Sequence, residues 1–169
     1  ILDLLINDLN SILLKKLRSI EGLVYDIDGN MDLDEVNKEL SLVIFSTSVN
    51  NTNLLKVIEN TLLTLKDIKT NFIEDSYIKK YKQNILMRKQ KQLYQRIPDE
   101  LLNEYCVYSL WNKPIFDEKQ EYKYFSNIDK NSLLKISNEI FDFKNLHIFY
   151  DGKINYNQKI QNILSNYTK

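Results

Sequence analysis

Several stretches of the chain place apolar residues three and four positions apart, which is the spacing of one face of an α-helix. The first stretch ends before Gly22, because glycine readily adopts the positive φ that closes many helices. Further helices are predicted after a cap at Asn51 or Thr52, over residues 74–96, from Pro98, over residues 129–140 and over residues 154–167. The apolar stripe of the first helix consists of Ile1, Leu5, Leu9, Ile12, Leu13, Leu17 and Ile20.

The helix from Pro98 begins favourably, because the N–H that proline lacks has no intrahelical partner in the first turn. Residues 111–125, which Pro114 interrupts, are predicted to be irregular, and Asp129 is predicted to cap the helix that follows. One face of the helix from Pro98 is predicted to be buried, and the thiol of Cys106 on that face would then be a buried structural group. That predicted inner face consists of Leu101, Leu102, Tyr105, Cys106 and Ser109.

Strands are predicted over residues 23–27 and 40–47, and the polar stretch 28–39 between them is predicted to be the tip of a hairpin. The second strand is apolar on both faces, so we expect it to lie inside a sheet that is covered on at least one side. Residues 146–150 are predicted to form a last short strand. The order of these elements predicts an α+β fold in a single domain, residues 1–169, with a mostly antiparallel sheet covered by helices on one side.

The charge balance and the cysteine count limit the kinds of function that this chain can have. The chain has 23 Lys and Arg residues and 23 Asp and Glu residues, so no overall field attracts nucleic acid and no nucleic-acid partner is predicted. No apolar run approaches the roughly 20 residues of a spanning helix, so no membrane span is predicted. Cys106 is the only cysteine, which excludes an internal disulfide and favours a reducing, intracellular compartment. The chain begins inside a predicted helix at Ile1, so we expect further sequence upstream.

Candidate metal ligands are few. His147 is the only histidine, and it lies in the predicted last strand, where a packed or edge-facing role is expected. No inverted zinc motif His-x-x-Glu-His occurs, so neither a metal site nor catalytic groups are predicted in this chain. Residues 26–34 alternate like calcium ligands, but Met31 and Asn37 stand where an EF-hand requires Gly and Glu. A solvated hairpin tip is therefore the preferred interpretation.

One alternative assigns phosphatase chemistry to the same segment. Residues 24–29, Val-Tyr-Asp-Ile-Asp-Gly, resemble the first motif of haloacid dehalogenase-type phosphatases, in which one Asp, here Asp26, attacks phosphate. Residues 44–46 and 150–152 would then imitate later motifs of that family. However, Asn30 stands where that family has Thr, and residues 32–40 leave little room for the crossover helix that joins parallel strands. The phosphatase interpretation is therefore the less favoured one.

The strongest motif is residues 17–27, Leu-Arg-Ser-Ile-Glu-Gly-Leu-Val-Tyr-Asp-Ile. It resembles the Leu-Arg-x-x-x-Gly-Leu-x-Tyr-x-Val segment of the insulinase, pitrilysin and mitochondrial-processing-peptidase family, the inverted-zincin metallopeptidases. The similarity continues at lower specificity through residues 45–47, 65–68, 128–130 and 146–152. It covers nearly the whole chain and lacks a family strand expected just before Ile1.

This resemblance implies that the chain is the zinc-free, C-terminal-type half of a clam-shaped metallopeptidase that closes over a peptide substrate. Zinc would be bound by a partner half, on the same polypeptide or a separate chain, and this chain would bind no cofactor and would not be an enzyme alone. Arg18 and Tyr25 match the family's Arg and Tyr, which implies substrate binding and transition-state stabilisation for them. A structural role, with Arg18 as a helix-terminal cation and Tyr25 as a packing aromatic, stays open. A catalytically inactive assembly subunit of the same fold is the alternative function.

Overall fold

Helices form most of the observed structure. The computed structural model describes residues 11–32, 42–71, 73–95, 98–110, 112, 118–152 and 155–168. Its described strands form one two-stranded antiparallel sheet, and the other regular elements are helices. The predicted α+β class is therefore confirmed, but a mostly sheet-based half is wrong for the described residues. The sheet is small because the segments predicted as strands over residues 23–27 and 146–150 do not join it.

The first described helix changes its hydrogen-bonding pattern along its length. Helix α1 is α-helical over Ile12–Leu14 and continues as a π-helix over Lys15–Ile20. Ile20 is 69% exposed, so its assignment to the apolar stripe is wrong. A π-helix closes its hydrogen bonds five residues apart, so a residue spaced for α-helical geometry is rotated away from the core. The stripe residues that are buried as predicted are Leu13 and Leu17, and Leu14, which is outside the predicted stripe, is buried as well. The stripe residues outside the described ranges are Ile1, Leu5 and Leu9.

A tight turn at Gly22 ends α1. Its φ of 61° confirms the prediction that glycine supplies a left-handed conformation here. The N–H of Gly22 donates to the carbonyl of Arg18 at 3.2 Å, and the N–H of Leu23 donates to the carbonyl of Leu17 at 2.8 Å. The last carbonyls of the helix are therefore satisfied, and the chain reverses directly into the next segment.

The hairpin lies further along the chain than predicted. Strand β1 is Asp28–Asp32 and pairs antiparallel with β2, Leu42–Ser46, whereas the predicted strand over residues 23–27 contributes only an isolated bridge from Val24 to Val49. Val24 is bridged to Val49, and the next pair along the two segments is Asp28 with Ser46. Four positions separate Val24 from Asp28, but only three separate Ser46 from Val49. The first segment therefore has one residue more than its partner, as in a β-bulge, and the ladder is interrupted there.

The second strand is covered on one face only. Val43 and Phe45 are half-buried and pack against the main core, but Leu42 is 55% and Ile44 is 44% exposed. The described part of the strand, β2, is therefore covered on one side, as predicted, but in the described sheet it pairs only with β1 and does not lie between two strands. Residues 33–41, which include most of the predicted tip and the start of the predicted second strand, lie outside the described residues.

Most of the later helices were predicted at nearly their observed positions. Helix α2 begins after Asn53, which makes no side-chain capping bond, so the predicted caps at Asn51 and Thr52 are wrong. Asp129 caps α6 as predicted, because its carboxylate accepts from the N–H of Ser132 at 2.8 Å. Helix α5 occupies part of the stretch that was predicted to be irregular. The helices are α2 (Leu54–Thr70), α3 (Asp75–Gln95), α4 (Pro98–Leu110), α5 (Glu118–Asn127), α6 (Lys130–Ile140) and α7 (Asn157–Leu164).

Helix α4 has no buried face among its described side chains. Leu102 is 63% and Tyr105 is 41% exposed, and Cys106 and Ser109 are exposed as well. The predicted inner face and the predicted buried thiol are therefore wrong, and the side chain of Leu101 lies outside the described set. The apolar positions of α4 are distributed around the helix rather than along one stripe, so no single orientation can bury them.

Two apolar clusters hold the described elements together. The larger one joins α1, residues 23–27, α2, α3 and the end of α6, and its most enclosed side chains are Leu13 and Leu17. The smaller one packs α2 against α7, with residues 146–150 laid across it. Among the described helices, none combines the length and apolar character that crossing a membrane requires, in agreement with the sequence prediction.

Candidate functional site

Arg18 and Tyr25 lie side by side at the turn that follows α1. The guanidinium carbon of Arg18 stands 4.9 Å from the centroid of the Tyr25 ring. Both side chains are exposed, and Tyr25 is 78% exposed. The two residues predicted as substrate-binding groups are therefore brought into direct contact on the surface.

Buried neighbours hold this corner of the molecule. Leu17 is 0% exposed on one side of Arg18, and Val24 is 7% exposed on one side of Tyr25. The chain is therefore fixed to the core immediately before each candidate residue, and each candidate side chain points to solvent. Arg18 also belongs to a π-helix, an uncommon element that occurs often at functional sites.

The charge of Arg18 is not neutralised within the part of the chain that the structure describes. The nearest acidic residue in the turn, Glu21, pairs instead with Lys56 at 2.9 Å. A guanidinium carries five N–H donors in a fixed plane, so a group that stacks on an aromatic face keeps donors at its edge for a carbonyl or carboxylate. The exposed edge of the guanidinium can therefore donate hydrogen bonds to an oxygen-rich ligand.

The surface around the pair is open and partly apolar. Ile20 is 69% exposed and follows Arg18 in the same π-helix. The phenol of Tyr25 supplies a hydroxyl that can donate or accept, and the guanidinium supplies donors only. These two side chains can therefore offer hydrogen bonds to a peptide backbone.

Among the described residues, neither His147 nor Asp26 belongs to a cluster of candidate metal ligands. His147 is exposed and stacks on Phe149 with ring centroids 6.4 Å apart. Within the described ranges, no group of three or more His, Cys, Asp or Glu residues has the geometry to hold a metal ion. Asp26 lies in the bulged segment, where its carbonyl accepts from the hydroxyl of Thr47 at 2.6 Å.

The phosphatase alternative requires a parallel sheet with Asp26 at the carboxyl end of a strand. The observed hairpin is antiparallel, and Asp26 precedes β1 rather than following it. The described strands therefore do not supply the geometry on which that alternative depends.

Two features of the surface were not predicted from the sequence. The direct contact between the side chains of Arg18 and Tyr25 was not predicted, although the turn at Gly22 that lies between them was. The 92% exposure of Phe149 was also not predicted, because its segment reads as an ordinary buried strand. Comparison of the chain with models of known protein families and with curated proteins gives no significant match.

Proposed function

We propose that this chain is the non-zinc, substrate-closing half of an insulinase-type zinc metallopeptidase and that it acts on peptides together with a zinc-bearing half. The observation that carries this proposal is the exposed contact between Arg18 and Tyr25 at 4.9 Å. It occurs within residues 17–27, the segment that resembles the family most closely. The open surface around the pair is consistent with a site that a second half completes.

The two side chains have distinct roles in this proposal. The hydroxyl of Tyr25 donates a hydrogen bond to the scissile carbonyl oxygen as negative charge develops on it, which lowers the barrier to attack. The guanidinium of Arg18 binds a neighbouring peptide carbonyl or a substrate carboxylate. Zinc in the partner half would supply a Lewis acid and an activated water.

The contact between the two side chains also helps to orient them. Exposed cation–π contacts contribute about 0.5–1 kcal/mol, enough to favour one arrangement of two otherwise mobile side chains. Arg18 therefore acts in two ways, as a ligand for substrate and as a positioning group for the Tyr25 ring. A lysine at position 18 would keep the charge but lose the planar stacking surface.

The test is steady-state hydrolysis of a quenched fluorescent peptide by the complete protein, including its zinc-bearing half. Tyr25→Phe is expected to lower kcat by roughly ten- to a thousandfold, because one oxyanion donor is lost. The matched control is Tyr124→Phe, which removes a hydroxyl from another tyrosine that is 63% exposed and lies on α5. Unchanged kcat in Tyr25→Phe would remove this residue from the mechanism.

A second function is favoured by a different observation. Helix α4 exposes Leu102 at 63%, Val107 at 42% and Leu110 at 81%, and such apolar exposure on a helix is typical of an assembly interface. In this case the chain would be a catalytically inactive assembly subunit of the same fold. The two functions differ in whether the flanking sequence or a companion chain carries His-x-x-Glu-His with a downstream Glu.

A further inference from the structure

Lys56 lies at a position in α2 that the electrostatics of the helix disfavour. It is in the first turn, and no acidic residue accompanies it there. The N-terminal end of a helix carries partial positive charge, so a lysine in the first turn is repelled rather than stabilised. The carboxylate of Glu21, which is 2.9 Å from the Nζ of Lys56, offsets this repulsion. The position of the lysine is therefore explained by Glu21 and not by the helix to which it belongs.

Glu21 lies on the same helical turn as Arg18. Its N–H donates to the carbonyls of Lys16 and Arg18, which places the backbones of Arg18 and Glu21 side by side. Acidic and basic residues at this spacing on a helix surface are neighbours and readily form ion pairs. In the structure the carboxylate of Glu21 is instead directed to Lys56 on α2, and Arg18 stacks on Tyr25. Glu21 is therefore an acidic group within the turn that Lys56 engages in place of Arg18.

An ion pair between Arg18 and Glu21 would compete with both contacts that the proposed function requires of Arg18. Exposed ion pairs and exposed cation–π contacts have similar strengths, so a released Glu21 would hold the guanidinium about half of the time. While it did so, the guanidinium would leave the ring of Tyr25, and the donors that faced Glu21 would be lost to a substrate carboxylate. Keeping Glu21 engaged elsewhere therefore favours both the contact with Tyr25 and the binding of an acidic ligand.

We propose that Lys56 is a positioning residue that holds Glu21 away from Arg18 and so leaves the guanidinium available to Tyr25 and to an acidic side chain of the substrate. This inference rests on the proposed peptidase function and deepens it, because it names peptides with an acidic residue as the substrate class. A carboxylate is the ligand that fits, since its bond to a guanidinium is charge-assisted and stronger than the bond of a neutral carbonyl. Lys56 touches no substrate in this assignment and acts only through Glu21.

A purely structural role for the ion pair, fastening α1 to α2, makes a different prediction. In that role the two charges are equivalent, because removal of either one breaks the same contact between Lys56 and Glu21. In the positioning role they are not equivalent. Removal of the lysine releases a carboxylate beside Arg18, whereas neutralisation of Glu21 releases none. Variants of the two residues therefore distinguish positioning from fastening.

The first experiment measures the contact between Arg18 and Tyr25 in the full chain by NMR. The ring-current shift of the δ-methylene protons of Arg18 reports how much of the time the guanidinium lies over the Tyr25 ring. This shift is expected to fall by about half in Lys56→Met and to stay unchanged in Glu21→Gln and in the double variant of both. The matched control is Lys66→Met, which removes another exposed lysine of α2, one that lies 5.7 Å from the centroid of the Tyr167 ring. It is expected to leave the shift unchanged.

The second experiment measures the binding of an acidic peptide. The probes are the blocked peptide Gly-Gly-Glu-Gly-Gly and its counterpart with Gln in place of Glu, each titrated into the chain while the Nε–H signal of Arg18 is followed. In Lys56→Met, Kd for the Glu peptide is expected to rise about two- to fivefold and Kd for the Gln peptide to change less. The double variant with Glu21→Gln is expected to restore both values. In the complete protein, the ratio of kcat/KM for a Glu-containing substrate over its Gln counterpart should fall by the same factor.

Three results would each overturn the proposal. An unchanged ring-current shift in Lys56→Met would mean that the released carboxylate does not reach Arg18. Equal losses in Lys56→Met and Glu21→Gln would identify the ion pair as a fastening contact only. Equal weakening of the Glu and Gln peptides would remove the selection for acidic residues. Failure of the peptidase function is distinguishable from these results, because a complete protein that hydrolysed neither peptide would sink that function while the NMR results still showed control of Arg18 by Lys56.

Discussion

Replacing Leu17 by alanine tests whether the corner that carries Arg18 is held by the core. Leu17 is 0% exposed and lies in the larger apolar cluster. Removing three carbons at about 0.8 kcal/mol each costs about 2.4 kcal/mol of transfer free energy. The cavity left behind adds to this cost, so we expect a total loss of about 3–4 kcal/mol in the free energy of unfolding.

The matched control is Leu63→Ala on α2. Leu63 is also helical but is 43% exposed, so less area returns to water and no enclosed cavity forms. We expect this variant to lose about 1 kcal/mol or less. Urea unfolding followed by circular dichroism measures both variants, and the Leu17 variant should also melt roughly 6–16 °C lower than the unmodified chain.

The result that would refute this reasoning is an equal loss of stability in the two variants. Equal losses would mean that Leu17 is not enclosed and that the chain before Arg18 is not anchored. A local measurement supports the global one. The N–H of Leu23 donates to the carbonyl of Leu17 at 2.8 Å, so its amide should exchange faster in Leu17→Ala than in Leu63→Ala.

Two further predictions concern titration and thiol chemistry. Hydrogen bonds from the side chain and then the backbone N–H of Ser132 lower the pKa of Asp129 below its ordinary value of 3.8. This contribution to stability is complete above the unfolded pKa and is lost as the pH falls through the folded pKa. In Asp129→Asn, the urea midpoint of unfolding should therefore fall less steeply as the pH is lowered than it does in the unmodified chain. An equally steep fall in both proteins would contradict this assignment. Cys106 is exposed, so an aromatic disulfide reagent should label the native protein nearly as fast as the urea-unfolded chain; strong protection in the native state would restore the prediction of a buried thiol.

Local chemistry made several elements predictable. Pro98 begins α4, Gly22 adopts positive φ, and Asp129 caps α6, because each of these roles depends on one residue type and its immediate neighbours. The antiparallel hairpin was also predicted, since a short polar stretch between two strands permits no crossover. The features of the fold that depend on residues adjacent in the sequence could therefore be predicted.

Tertiary context decided the features that were predicted wrongly. Leu102 and Cys106 were predicted to lie on a buried face of α4, but both are exposed, because the apolar residues of this helix do not form a single stripe. Ile44 lies in an apolar strand, but the small sheet leaves one of its faces open. Periodicity shows which side chains could be buried together, whereas their burial depends on what the rest of the chain or a partner places against them.

A reversal of the chain at Gly22 lies between Arg18 and Tyr25, and helical spacing does not account for their contact. In an uninterrupted α-helix, residues seven apart would lie about 10.5 Å apart along the axis, too far for the observed contact. Here the π-helix ends at Ile20 and the chain reverses at Gly22, and the extra residue between Val24 and β1 allows Val24 and Ile27 both to face the core. A regular strand would alternate and would put Val24 and Ile27 on opposite faces. The irregularity that defeats the strand prediction therefore allows Ile27 to be buried together with Val24, whereas Tyr25, the neighbour of Val24, would face away from the core in a regular strand as well.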